Sequence, residues 1–148
     1  MEADRVGEAR GWGLTVLRII VGMVFLVHGI QKVFVFGVSG FAGNLEGMGA
    51  PLPLFFSTVV TLVELLGGVA LILGLFTRVV VIPLAIDMLV AILTVHLPNG
   101  FFTSSNGYEF PLVLLAACVA LMLGGSGEAS LDRVLAARGN PTLARLTR

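Results

Sequence analysis

Apolar residues fill four long stretches of this chain, near 12–36, 54–76, 78–97 and 108–125, separated by short polar breaks. At 1.5 Å per residue, about 20 apolar residues cross a bilayer core, so each stretch predicts a transmembrane helix. The period-two alternation that an outer-membrane barrel needs is missing. The fourth helix has the shortest purely apolar run, and Pro111 near its start fits only in a first turn. A Leu75-Phe76-Thr77-Arg78 link folds the second and third helices into an antiparallel hairpin. The expected fold is all-α: an integral membrane four-helix bundle over residues 1–125, followed by a cytoplasmic tail, 126–148. Within that tail, 130–138 carries Leu131, Val134 and Leu135 on one face and is stopped by Gly139 and Pro141. It predicts a short amphipathic helix lying on the inner membrane surface.

Composition agrees with a membrane protein. Of 148 residues, 57% are apolar and 12% are charged, where a soluble domain carries roughly 25% charged residues; the mean hydropathy is +1.02. Net charge is zero and the chain has no basic run beyond scattered tail arginines, so it carries no electrostatic footprint for nucleic acid. The single cysteine, Cys118, excludes an internal disulfide and a C-x-x-C redox pair, and in its apolar run it reads as a small buried hydrophobe. The first segment is too long for a signal-peptide core, contains Arg18 and His28 and lacks a small-residue cleavage site, so it is expected to stay in the mature protein. Arg5, Arg10 and Arg18, then Arg78, then Arg133, Arg138, Arg145 and Arg148 fall on one side, whereas connections 37–53 and 98–107 contain no Lys or Arg. The positive-inside rule then places both termini in the cytoplasm, in a multi-pass protein of the bacterial cytoplasmic membrane. Gly22 and Gly29 on the first helix, and Gly67 and Gly74 on the second, lie two turns apart and predict close helix packing.

Ionisable residues inside these segments are the candidates for function, because a charge at the bilayer centre costs at least about 2.5–3.5 kcal/mol and normally faces a bundle interior. Counted from the cytoplasmic side, Arg18 falls near the inner boundary and Asp87 about 15 Å up, close enough to form a structural ion pair. On the same ruler Glu64 lies at about 20 Å, His28 at about 24 Å, and Lys32, His96 and Glu109 near the outer boundary. His28 and Lys32 are one turn apart, and Ser57, Thr61 and Glu64 share a face of the second helix. His96 lies about 180° around its helix from Asp87, so the two join one cluster only if the helix end distorts.

Several readings fit this cluster. His28, Lys32, Glu64 and Glu109 can be satisfied pairs that fix helix register. They can also form an isoprenoid quinone site in which His or Lys donates to a ring carbonyl and Glu64 or Glu109 exchanges protons. Aromatic residues such as Phe41, Phe101, Tyr108 and Phe110 can clamp such a ring, although an interfacial belt explains them more simply. His28, His96, Glu64 and Glu109 are acceptable zinc or iron ligands by type; no tight spacing such as E-x-x-H accompanies them, and no metal is assigned. Transport along the same residues would require oligomerisation, because the chain is small and shows no inverted repeat or broken helix.

The order of four motifs resembles the DoxX family of small bacterial membrane proteins. These are Phe25-x-x-His28-Gly29-x-x-Lys32; Phe41 followed by Met48-Gly49-Ala50-Pro51; Glu64-Leu65-Leu66-Gly67-Gly68 with Gly74-Leu75-x-Thr77-Arg78; and His96-Leu97-Pro98-Asn99-Gly100-Phe101-Phe102 leading to Gly107-Tyr108-Glu109. The likeness runs over residues 14–123. It implies a four-helix bundle in the cytoplasmic membrane and a link to redox chemistry, since the family takes its name from a subunit of an archaeal terminal oxidase tied to quinone-linked thiosulfate oxidation. Some bacterial members are described as parts of membrane oxidoreductase complexes. The family's recurrent polar positions fall on Arg18, His28, Lys32, Glu64, Arg78, His96 and Glu109. A self-sufficient redox enzyme would carry a cysteine pair, paired haem ligands or a nucleotide motif. Lacking them, the chain is expected to act as an accessory or quinone-interacting subunit with protein partners, or alternatively as a non-catalytic scaffold or assembly factor.

Overall fold

The computed structural model describes residues 2–137; Arg138, Gly139, Pro141, Arg145 and Arg148 lie outside the described residues. Six α-helices follow one another: α1 (Glu2–Phe34), α2 (Val38–Gly47), α3 (Pro53–Leu73), α4 (Thr77–Ala91), α5 (Glu109–Gly124) and α6 (Leu131–Ala137), with no strand among the described residues. Helix α4 runs on into a π turn, Ile92–His96, and a 3₁₀ turn, Leu97–Asn99. Three helices are long and apolar enough to cross a membrane, and the 16-residue α5 completes the bundle. Helices α1, α3, α4 and α5 close a ring in which each packs against the next, which is the four-helix bundle expected.

The boundaries differ from the hydropathy pattern where the helix continues beyond the membrane. Helix α1 starts at Glu2 rather than near Trp12, because the intervening Glu, Ala and Arg residues are good helix formers even where they are too polar for lipid. The expected loop 37–53 contains a helix, α2, with Ala42 buried. Ser57 of α3 donates its hydroxyl to the Val38 carbonyl at 2.6 Å and ties the start of α2 to the bundle.

Helices α1 and α3 meet through glycines. A Cβ on Gly68 would lie 2.5 Å from the Leu26 backbone nitrogen and 2.8 Å from the Gly22 carbonyl oxygen, so the two backbones touch where a side chain would stand. Gly74 is not part of this seam. It ends α3 in a left-handed conformation (φ 67°) beside the Arg18 guanidinium, a position glycine adopts without strain.

Arg18 does not pair with Asp87. Its guanidinium is buried at the terminal end of the bundle and donates to the carbonyls of Leu71, of Ile72 (2.8 Å), of Ser126 (2.9 Å) and of Ala129 (2.6 Å). The carbonyls at the end of α3 have no donor left within the helix and carry its negative pole, and the rigid fork of Arg18 N–H groups serves several of them at once, where Asp87 would offer it a single carboxylate. Nearby, Asp132 is also buried. Its two carboxyl oxygens accept from the backbone N–H groups of Phe76 (2.7 Å) and Thr77 (3.0 Å), capping α4. Residues 126–132 are therefore built into the bundle rather than forming a separate tail. In α6, the expected apolar residues Leu131 and Val134 remain exposed while the polar Asp132 is buried.

Between the two ends lies a dry layer. Val21, Leu71, Val81, Leu84, Cys118 and Leu121, contributed by all four bundle helices, are each no more than 3% exposed. Outward-facing Val27, Leu66, Leu73, Ile86, Leu93 and Val113 are exposed, as residues facing lipid tails should be.

Candidate functional site

Above the dry layer, at the end of the bundle that carries α2 and loop 97–108, the helices part around a cavity of about 670 Å³. This lies within the range of small-molecule sites, roughly 300–1,000 Å³. Its walls are mostly apolar, and five ionisable side chains line it: His28 and Lys32 from α1, Glu64 from α3, Asp87 from α4 and His96 from the π turn. Phe25, Phe41 and Phe110 supply aromatic surface.

Lys32 and Glu64 form the central polar contact. The Lys32 ammonium donates to Glu64 Oε2 at 2.6 Å, and the two side chains are 13% and 4% exposed. The glycine seam sets this up by bringing α1 and α3 close enough for side chains one helix apart to meet. The same ammonium sits 5.1 Å from the centre of the Phe41 ring, so α2 covers the pair with a cation–π contact.

Both histidines have one ring nitrogen committed. Nδ1 of His28 bonds to the Val24 carbonyl at 2.9 Å, and Nδ1 of His96 to the Asn106 carbonyl at 2.8 Å. A carbonyl only accepts, so Nδ1 carries the proton in each and Nε2 is left for another partner. His28 also lies against Phe110, with ring centres 6.3 Å apart.

His96 reaches the cavity because the helix end is distorted. Continued as a straight α-helix, it would lie about 180° from Asp87. The π turn takes about one more residue per turn, and by its last residue, His96, it has rotated the side chains back by up to about 100°. Both residues then line the same space.

Glu109, also expected in the cluster, is absent from the cavity lining. Its Oε1 accepts the Thr103 backbone N–H at 2.6 Å and closes the 3₁₀ turn Thr103–Ser105. Phe101 and Tyr108 likewise stack edge to face, with centres 5.4 Å apart, and pack the loop rather than the cavity. Among the described residues, no three His, Cys, Asp or Glu side chains come together as a metal site requires.

Asp87 takes the place that Glu109 leaves. It makes no hydrogen bond among the described residues, and its Oδ2 is buried without a partner. The orphaned atoms Thr77 Oγ1 and Arg78 Nε lie at the opposite end, where Arg78 reaches the Leu123 carbonyl at 3.2 Å.

A ring of apolar helices with lipid-facing side chains and a polar-lined cavity near one end defines a small polytopic membrane protein. The DoxX family model matches residues 13–97, and the chain belongs to that family. It is 36% identical over 121 residues to a Bacillus subtilis protein named "Putative oxidoreductase CatD", covering 81% of this chain and 84% of that one. It is 35% identical over 139 residues to an uncharacterized membrane protein of Mycobacterium tuberculosis, covering 87% and 85%. The Escherichia coli inner membrane protein YqjF is 30% identical over 128 residues, covering 83% and 92%. No solved structure matches the chain. The protein is a multi-pass protein of the inner membrane.

Proposed function

We propose that this protein is a quinone-interacting subunit of an inner-membrane redox complex, with both termini cytoplasmic and the cavity on the outer side. The observation that carries this reading is the convergence of five ionisable side chains in one apolar cavity of about 670 Å³. A quinone in its reduced, quinol form presents two hydroxyls on a flat ring, and the cavity offers the Nε2 atoms of His28 and His96 as acceptors for them and the aromatic faces of Phe25, Phe41 and Phe110 for the ring. The chain's own residues bind and orient the ring and exchange protons; electrons pass between the ring and a redox-active partner protein. The oxidoreductase name carried by the Bacillus subtilis relative supports the same reading.

The test is mass spectrometry of organic extracts from detergent-purified protein. Wild type is expected to hold near-stoichiometric quinone, and Ala91→Trp, which builds an indole into the cavity where Ala91 of α4 forms part of the wall, is expected to lose at least 90% of it while remaining monodisperse. Bulk lipid alone in the wild type would overturn the reading.

The tight Lys32–Glu64 contact favours a second role for that pair, fixing the register of α1 against α3 as an assembly scaffold requires. Glu64→Gln is then expected to lower the melting temperature in detergent, and Lys32→Met in the same chain to restore part of the loss. A coupling of about 1–3 kcal/mol is expected from the double-mutant cycle. Strict additivity would show that the pair does not set register.

A further inference from the structure

We infer that Asp87, rather than Glu64, is the cavity's ligand-binding carboxyl, and that its side chain, in the protonated form, donates a hydrogen bond to a ring oxygen of the bound head group. The inference rests on the quinone reading above and assigns the polar contact within it. Three observations lead to it. Glu64 is already engaged, its Oε2 held by the Lys32 ammonium at 2.6 Å, so binding a ligand there would first require that pair to open. Asp87 lines the cavity, makes no hydrogen bond among the described residues and buries an orphaned Oδ2. Buried polar atoms are almost always paired, and one that is not calls for a partner from outside the chain.

The third observation is the π turn. A straight α4 would bury Asp87 on one face and turn His96 to the opposite one, whereas the wide turn at Ile92–His96 places both beside the same space. Such turns cluster at functional sites because they re-aim side chains at a local cost in backbone geometry. Every other ionisable group on the cavity is accounted for: His28 and His96 each have Nδ1 bound to a carbonyl, and Lys32 and Glu64 hold one another. Asp87 alone has its full hydrogen-bonding capacity unspent, which suits a ligand that carries a ring oxygen.

Labelling of the full-length purified chain with dicyclohexylcarbodiimide, a lipophilic reagent that adds to carboxyl groups, tests this directly. Peptide mass spectrometry is expected to find the adduct on Asp87 and not on Glu64, with decylubiquinone slowing its formation at least tenfold. Asp87→Leu, which removes the hydrogen-bonding group, is expected to remain folded by size exclusion, to lose the adduct and to retain less than a tenth of the wild-type quinone. An adduct on Glu64 that decylubiquinone suppresses, or full quinone retention in Asp87→Leu, would overturn the assignment and leave the quinone reading standing. A wild type that holds no quinone and gains no protection from decylubiquinone would overturn both. The labelling arm uses unaltered protein and decides the question even if the variant misfolds.

Discussion

Arg18→Met is expected to melt the bundle in detergent at a much lower temperature than wild type, with a loss of more than about 3 kcal/mol. The methionine keeps the aliphatic length but strands the carbonyls of Leu71, Ile72, Ser126 and Ala129 in a site where Arg18 itself is only 1% exposed. Each acceptor left without a donor in such a place costs about 1–3 kcal/mol, and water reaches the site only by opening the 126–132 segment. Arg18→Lys is expected to recover little, because a compact ammonium does not reproduce the planar fork that serves two helix-end carbonyls and two turn carbonyls together. Thermal scans of the three proteins in one detergent check this; an unchanged melting temperature in Arg18→Met would show that the guanidinium is not holding the terminal end closed.

Gly68→Val is expected to be nearly as damaging, at about 1–3 kcal/mol or more, for a steric reason. Its Cβ would stand 2.5 Å from a backbone nitrogen of α1, and backbone cannot swing aside as a side chain tip can. The helices must separate, and because Lys32 and Glu64 sit on those same helices, the ion pair should open with them. Gly40→Ala on α2, where an added Cβ meets nothing within 4 Å, is the control and should melt with wild type. A folded Gly68→Val protein that retains its stability would remove the glycine seam as the element that positions the cavity.

Much of this architecture was legible from hydropathy, because lipid imposes one requirement on every span. Lys32 and Glu64 are legible as members of one cluster of possible pairs, since both lie on predicted inward faces, although the depth ruler sets His28 rather than Lys32 beside Glu64. The burial of Arg18 is legible in the sequence, and its partners are not. Its acceptors are backbone carbonyls, which every residue has and which therefore leave no trace in the pattern of side chains. Asp132 was missed for a related reason: in a polar segment a carboxylate reads as solvated, and only the three-dimensional approach of α6 to the start of α4 makes it a cap. The regular 3.6-residue count separated His96 from Asp87, and no single residue between 92 and 96 marks a π turn. Helix α2 is not legible in the hydropathy pattern because Gly40, Gly43 and Gly47 dilute a short apolar run.

The dry layer of Val21, Leu71, Val81, Leu84, Cys118 and Leu121 makes the cavity blind-ended. A transmembrane voltage falls mainly across material that water and ions do not enter, so this floor is where the field is concentrated. A proton that travels from the loop end to Asp87 crosses only the wetter part of the path, and a solute cannot cross the floor without prising all four helices apart. Built this way, the molecule is an insulator with a recess on one face: chemistry in the recess is largely shielded from the membrane potential and provides no leak through it.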